Sequence, residues 1–139
     1  MKIILNDKAK KDFLHGAKIA YEKIITSFSS GNLKEIKSLL DKKILIKFEE
    51  ALKERKKNNL ISETTFVGIN SANIKKYEQL NNMFEVTVDF VSEIISCVKD
   101  KNKKVVSGNP EKIKKVYDTW KFSRDIRSSN PNWLLIDTE

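Results

Sequence analysis

The spacing of apolar residues changes near the middle of the chain. Up to about residue 58 they recur every three or four positions, as on one face of a helix. After residue 62 apolar and polar residues alternate, as in strands with one buried face. Helices therefore precede strands. This order predicts an α+β fold in which N-terminal helices pack on one face of a curved, four-stranded antiparallel sheet.

Three helices are predicted. The first covers residues 7–30, and Gly31 is placed to end it. A short helix over residues 33–40 and a third over about residues 42–58, capped by Asp41, follow. The apolar side of the first helix either packs on the sheet or faces the acyl chains of a membrane, and one residue cannot do both. That side consists of Phe13, Ala17, Ala20, Ile24 and Phe28.

Four strands are predicted in the second half of the chain, over residues 63–80, 83–98, 112–126 and 132–138. The second is the clearest, because apolar and polar residues alternate in it from Phe84 to Phe90. A charged turn is expected after it, over residues 100–104. The last strand is expected to begin near Trp133, after a polar loop.

The charge of the chain indicates an anionic partner. The net charge is +8, and residues 1–60 carry 15 basic against 8 acidic residues. Three interpretations stay open for this basic, helical part: a solvated surface, a surface for anionic lipid, or a nucleic-acid surface. The aromatic residues there lie on the apolar side of the helices. They are not interleaved with lysines as in single-strand binders, so no specific nucleic acid is expected.

A ligand cavity is expected under the helices, since a sheet half-covered by helices leaves space at one end. Its predicted apolar lining, in which each residue is also a candidate for the core, is Phe66, Val86, Val88, Phe90, Trp120, Phe122 and Trp133. Asp118 and Arg124 share this face by alternation. They are expected either to hold a ligand headgroup, or to form an internal ion pair or lie at a frayed strand end.

Catalytic chemistry is not expected. One histidine, His15, and one cysteine, Cys97, cannot build a zinc site of the usual kind, and no nucleophile stands beside a base. With four glycines the chain contains no phosphate-binding glycine-rich loop. No enzyme activity, metal or cofactor is therefore predicted.

Five segments together resemble one family. They are FLHGAKIAYEKI, ETTFVGI, VDFVSE, WKFSRD and SSNPNWLLIDT. The most specific part is the W-x-F-x-R-D motif followed by N-P-N-W. This pattern resembles the Tim-forty-four-like domain, found in the motor-docking subunit of the mitochondrial presequence translocase and in alphaproteobacterial relatives. The resemblance covers residues 13–139 as a single domain, with residues 1–12 as an N-terminal extension that includes the start of the first helix.

The resemblance implies a cone-shaped fold similar to nuclear transport factor two, an apolar pocket and no catalysis. It implies peripheral attachment to an inner membrane through the basic helices, with a preference for anionic lipid such as cardiolipin. The domain would lie on the cytoplasmic face of the inner membrane in a bacterium, or on its matrix face in a mitochondrion. The expected headgroup contacts are Lys8, Lys10, Lys11, Lys18 and Lys23. Translocase components or a preprotein are the implied protein partners. The alternative is an adaptor that docks on a ribosome or preprotein through its basic face.

Overall fold

The computed structural model describes residues 5–129 and 133–138, and it confirms the predicted α+β class. Two α-helices and a short 3-10 helix precede five strands, all paired antiparallel. The elements are α1 (Asp7–Ser30), the 3-10 helix (Lys37–Leu39), α2 (Lys42–Lys57), β1 (Ile61–Leu80), β2 (Met83–Lys99), β3 (Val105–Gly108), β4 (Lys114–Asp125) and β5 (Leu134–Thr138).

Local sequence signals set the ends of both α-helices. The Asn6 side chain accepts a hydrogen bond from the Ala9 N–H at the start of α1. At the end of α1, Gly31 adopts a left-handed conformation with φ of 82°, which costs glycine little. The Asp41 side chain caps α2 by accepting from the Ile44 N–H at 2.9 Å. The predicted bounds of both helices are thereby confirmed to within a residue.

The segment between the helices differs from the prediction. A helix over residues 33–40 was expected, but only Lys37–Leu39 forms a 3-10 turn. The Asn32 side chain accepts from the Lys34 N–H and makes a local turn there. Leu40 is extended and forms a parallel bridge with Leu135 of β5. This bridge covers the outer edge of the sheet, and a helix at Leu40 could not make it.

β2 is the central strand. It pairs with β1 along its whole length and with β4 along Met83–Ile94, and β5 adds to the far side of β4. Three irregularities interrupt the β1–β2 register and bend the long hairpin. The fifth strand, β3, was not predicted. It pairs with the last residues of β2, Cys97–Lys99, beyond the reach of β4.

The core lies between α1 and the concave side of the sheet. Tyr21 is fully buried and stacks on Phe90, with ring centroids 4.2 Å apart. It also contacts Trp120 at 4.6 Å. The alternation predicted for β2 is confirmed, since Phe84, Val86, Val88 and Phe90 are all buried. The predicted start of the last strand at Asn132 lies outside the described residues, and the observed strand begins at Leu134.

Candidate functional site

A cavity of about 510 Å³ opens at the N-terminal end of α1. Its size is in the range of small-ligand sites. Small residues of α1 leave the space, because Ala9, Gly16, Ala17 and Ala20 all line it. Larger apolar residues close the other sides: Leu5, Phe13, Leu39, Phe84, Phe122, Ile126 and Trp133. The interior is therefore mostly apolar.

Two charged residues, Asp12 from α1 and Arg124 from β4, also line this cavity. The Nε atom of Arg124 is buried and has no hydrogen-bond partner among the described residues. A buried donor without a partner is costly, and a ligand oxygen would relieve that cost. The cavity thus has the chemistry to hold an apolar chain that ends in an acidic group.

The structure places the predicted pocket residues in two different locations. Phe122 and Trp133 line the cavity, each in contact with Phe13. The other five lie under the middle of α1, in the hydrophobic core or packed against it: Phe66, Val86, Val88, Phe90 and Trp120. That part of the predicted lining is corrected, because these residues belong to the core, where the bulky Tyr21 contacts Phe66, Phe90 and Trp120. Sequence reasoning missed the α1 side of the cavity, although its small residues were a usable signal.

Asp118 and Arg124 do not act together. The Tyr21 hydroxyl donates to Asp118 Oδ2 at 2.6 Å and lies 2.9 Å from the Ser92 hydroxyl. This network is in the core, whereas Arg124 faces the cavity. Burial, followed by the hydrogen bond to Asp118, raises the pKa of the Tyr21 phenol well above its usual value. Neither the predicted ion pair nor a shared headgroup site for the two residues is observed.

The five predicted headgroup lysines all lie on α1 but do not share one side of it. Lys11 and Lys18 are seven residues apart, about two turns, and Lys8 lies one turn before Lys11. These three are exposed. Lys23 is also exposed and lies one turn after the exposed Ile19, on the same outer side of the helix. Lys10 leans toward the sheet, with its ammonium 5.6 Å from the centre of the Tyr77 ring.

The apolar side of α1 packs on the sheet, which decides between the two alternatives left by the sequence. Phe13, Ala17 and Ile24 are buried, and Ala20 and Phe28 are partly buried. In this fold they are not available to acyl chains. The contact of α1 with a membrane surface is therefore limited to its outer side, where Lys8, Lys11, Lys18 and the exposed Ile19 lie.

The other chemistry-bearing residues are isolated. His15 is exposed on α1, and Cys97 is buried in β2. Within residues 5–129 and 133–138, no three His, Cys, Asp or Glu residues are grouped so that they could hold a metal ion. No helix in the described part of the chain is long and apolar enough to cross a bilayer.

A family model for the Tim44-like domain matches residues 7–139, from the first residue of α1 to the last residue of the sequence. The chain belongs to the Tim44-like domain family. Tim44-like domains are membrane- and translocation-associated domains that interact with other proteins. The resemblance found in the sequence motifs is thereby confirmed, and peripheral association with a membrane follows at the level of the family.

The fold of this Tim44-like domain recurs in solved structures, of which 35 chains match. One is the crystal structure of the intermembrane space region of the chloroplast protein ARC6, with 14% identity and a TM-score of 0.51. The similarity covers 100% of this chain and 97% of that one. At this identity the similarity concerns the fold alone. The comparison with curated proteins found no match.

Proposed function

We propose that this Tim44-like domain is a non-enzymatic module that attaches peripherally to anionic membrane and serves protein translocation there. The observation that carries the proposal is the outer side of α1. It presents Lys8, Lys11 and Lys18 to solvent while the apolar side of the same helix is used in the core. Attachment is then electrostatic and leaves the fold intact, since lysines near an anionic surface each contribute about 1 kcal/mol.

Neutralising these lysines tests the proposal. We expect the variant Lys8→Gln/Lys11→Gln/Lys18→Gln to bind cardiolipin-containing vesicles at least about tenfold more weakly than the wild type in flotation at low salt. The charge-conserving variant with arginine at the same positions should bind like the wild type. Wild-type flotation that does not depend on anionic lipid would contradict the proposal. Deleting α1 is not a usable test, because its buried residues form the core.

The cavity is proposed to hold an apolar chain with an acidic end, as offered by a lipid or a fatty acid. Its apolar lining and the unpartnered Arg124 Nε support this assignment. Gly16 offers a way to narrow its opening, because it is an exposed residue of the lining and a Cβ built there meets nothing within 4 Å. A larger side chain at this cavity-lining position has room, and leucine favours a helix more than glycine does.

We expect Gly16→Leu to bind dodecanoate at least about tenfold more weakly than the wild type in isothermal titration calorimetry. Gly16→Ala, which adds one methyl group, is the matched control and should bind within about twofold of the wild type. Both variants should melt no lower than the wild type, since each replaces a helical glycine. Equal binding of dodecanoate by all three proteins would place its binding outside the cavity.

A further inference from the structure

A second basic region lies at the opposite end of the domain from the cavity. Residues 99–115 contain seven lysines and two acidic residues, which gives a net charge of +5. The net charge of the second half of the chain does not reveal this cluster, because residues 61–139 as a whole carry 12 basic and 11 acidic residues. The segment includes the turn after β2, all of β3 and the connection to β4.

The ends of both helices lie at the start of β1, whose first residue pairs with the first residue of this segment. Ser29, near the C-terminus of α1, is hydrogen-bonded to Ser62 and Thr64 at the start of β1. The neighbouring Ile61 pairs with Lys99, so the turn after β2 lies just beyond the end of α1. The last turn of α2 leads directly into β1 and adds two exposed lysines. We call the resulting surface the basic end and define it by Lys56, Lys57, Lys101, Lys103, Lys104 and Lys112.

The lysines of the basic end project from an ordered hairpin. Asp100 is occupied within the turn, where its Oδ1 accepts from the N–H groups of Asn102 and Lys104 at 2.8 and 3.0 Å. Gly108 closes β3 with φ of 78°, and a Cβ there would overlap the Ser96 carbonyl oxygen. All six lysines are exposed, and none of them forms an ion pair within the described residues. Their charge is thus available to a partner.

Aliphatic side chains stand among these lysines. Ile61, Val106 and Ile113 are each more than half exposed, at 55%, 53% and 57%. Exposed aliphatic residues within a lysine-rich surface suit a lipid interface, where the apolar groups enter the headgroup region and the lysines meet phosphates. Nucleic-acid binders that grip single strands rely on aromatic stacking, and the two segments of the basic end, residues 56–61 and 99–115, contain no aromatic residue.

We propose that the basic end is a second membrane-contact surface of this domain, beside the C-terminal end of α1, with Ile61, Val106 and Ile113 entering the interface between the lysines. This inference rests on the proposed function, in which the domain binds anionic membrane. It adds a place: the bilayer contacts the basic end as well as the outer side of α1.

The variant Lys101→Gln/Lys103→Gln/Lys104→Gln tests this assignment in flotation with neutral and with cardiolipin-containing vesicles. We expect at least about tenfold weaker binding to the anionic vesicles. The matched control is Lys37→Gln/Lys42→Gln/Lys76→Gln, which removes the same charge from exposed lysines elsewhere and should lose about twofold or less. Equal losses in the two variants would overturn the assignment, because binding would then follow net charge alone.

Two further measurements separate the remaining outcomes. The variant Val106→Ser/Ile113→Ser keeps every charge, and we expect it to lose binding about threefold or more, whereas unchanged binding would overturn the role of the aliphatic residues. If the wild type floats with neither lipid, the proposed function itself fails, and this inference fails with it. If the wild type floats but only its binding to polyuridylate responds to the lysine substitutions, the basic end is an RNA surface and the membrane assignment is wrong.

Discussion

Replacing Tyr21 by phenylalanine is expected to lower the free energy of unfolding by about 2 kcal/mol. The tyrosine hydroxyl donates to the Asp118 carboxylate and also contacts the Ser92 hydroxyl, and Tyr21 and Ser92 are fully buried. A hydrogen bond to a charged group contributes more than a neutral one, and its loss leaves the Asp118 carboxylate poorly solvated. Urea unfolding followed by circular dichroism measures the change. Tyr117→Phe is the control, since Tyr117 is 71% exposed, and it should change stability by no more than about 0.5 kcal/mol.

The same network gives this variant a signature in pH. The pKa of Tyr21 is raised in the folded protein, so its contribution to stability is complete below the usual phenol pKa near 10. It declines as the pH rises above that value, because the unfolded chain then loses a proton that the folded protein keeps. The difference in free energy of unfolding between wild type and Tyr21→Phe should therefore be constant up to about pH 9. Above pH 10 the ratio of the two unfolding equilibrium constants should shrink by about tenfold per pH unit. A difference that stays constant to about pH 11 would show that Tyr21 is not held in its neutral form.

Replacing Phe13 by alanine is expected to lower the free energy of unfolding by about 3 kcal/mol, the larger of the two effects. Phe13 is 7% exposed, and its ring meets Phe122 and Trp133 edge-on, with centroids 5.9 and 4.8 Å away. It forms the wall between the core and the cavity. Removing the ring would join its volume to an existing opening, and the surrounding residues could not collapse to refill it.

Ile19→Ala is the matched control for Phe13→Ala, because it truncates a large apolar residue of the same helix. Ile19 is 56% exposed, so the expected change in stability is within about 0.5 kcal/mol, with alanine favouring the helix. Unfolding in guanidinium chloride gives the comparison, from the midpoint concentration of each variant when the dependence of the unfolding free energy on denaturant is unchanged. Similar losses for the two variants would mean that α1 does not pack through Phe13 as described.

The elements that were predicted well have strong local signals. Both α-helices have a capping side chain at the start, Asn6 and Asp41, and α1 also has a glycine just past its end. In the central strand, apolar and polar residues alternate without interruption from Phe84 to Phe90. For these segments local propensity and tertiary packing agree, so the pattern in the sequence is sufficient.

The two elements that were missed were missed for different reasons. Residues 33–40 have a helical spacing of apolar residues, yet Leu40 is extended because Leu135, nearly a hundred positions later, offers an edge to cover. β3 has only four residues and is stabilised by pairing with the end of β2. The contact between Leu40 and Leu135 is visible only once the sheet is assembled. The partners of β3 are close in sequence, and β3 was missed because it is short and lies in a segment rich in charged residues.

The candidate site was predicted in part for a related reason. Alternation assigns Phe90, Trp120 and Phe122 to one face of the sheet, which is correct. It cannot say how far along that face the covering helix packs tightly. Tyr21 fills the middle, and the alanines and glycine of α1 open the N-terminal end, so only Phe122 of these three lines the cavity. The basic end was hidden because charge was summed over half the chain.

The central claim is that a folded, peripheral domain binds membrane through charge. Flotation of the whole chain with phosphatidylcholine vesicles containing increasing fractions of cardiolipin tests it most directly, with and without competing RNA. We predict no binding to phosphatidylcholine alone, and binding that rises with the cardiolipin fraction and falls with added salt. At equal ionic strength, added RNA should not change the fraction of protein that floats with cardiolipin-containing vesicles. Failure to float at any cardiolipin fraction, or release of the protein from vesicles by RNA at constant ionic strength, would contradict the claim and favour an adaptor that docks on a ribosome.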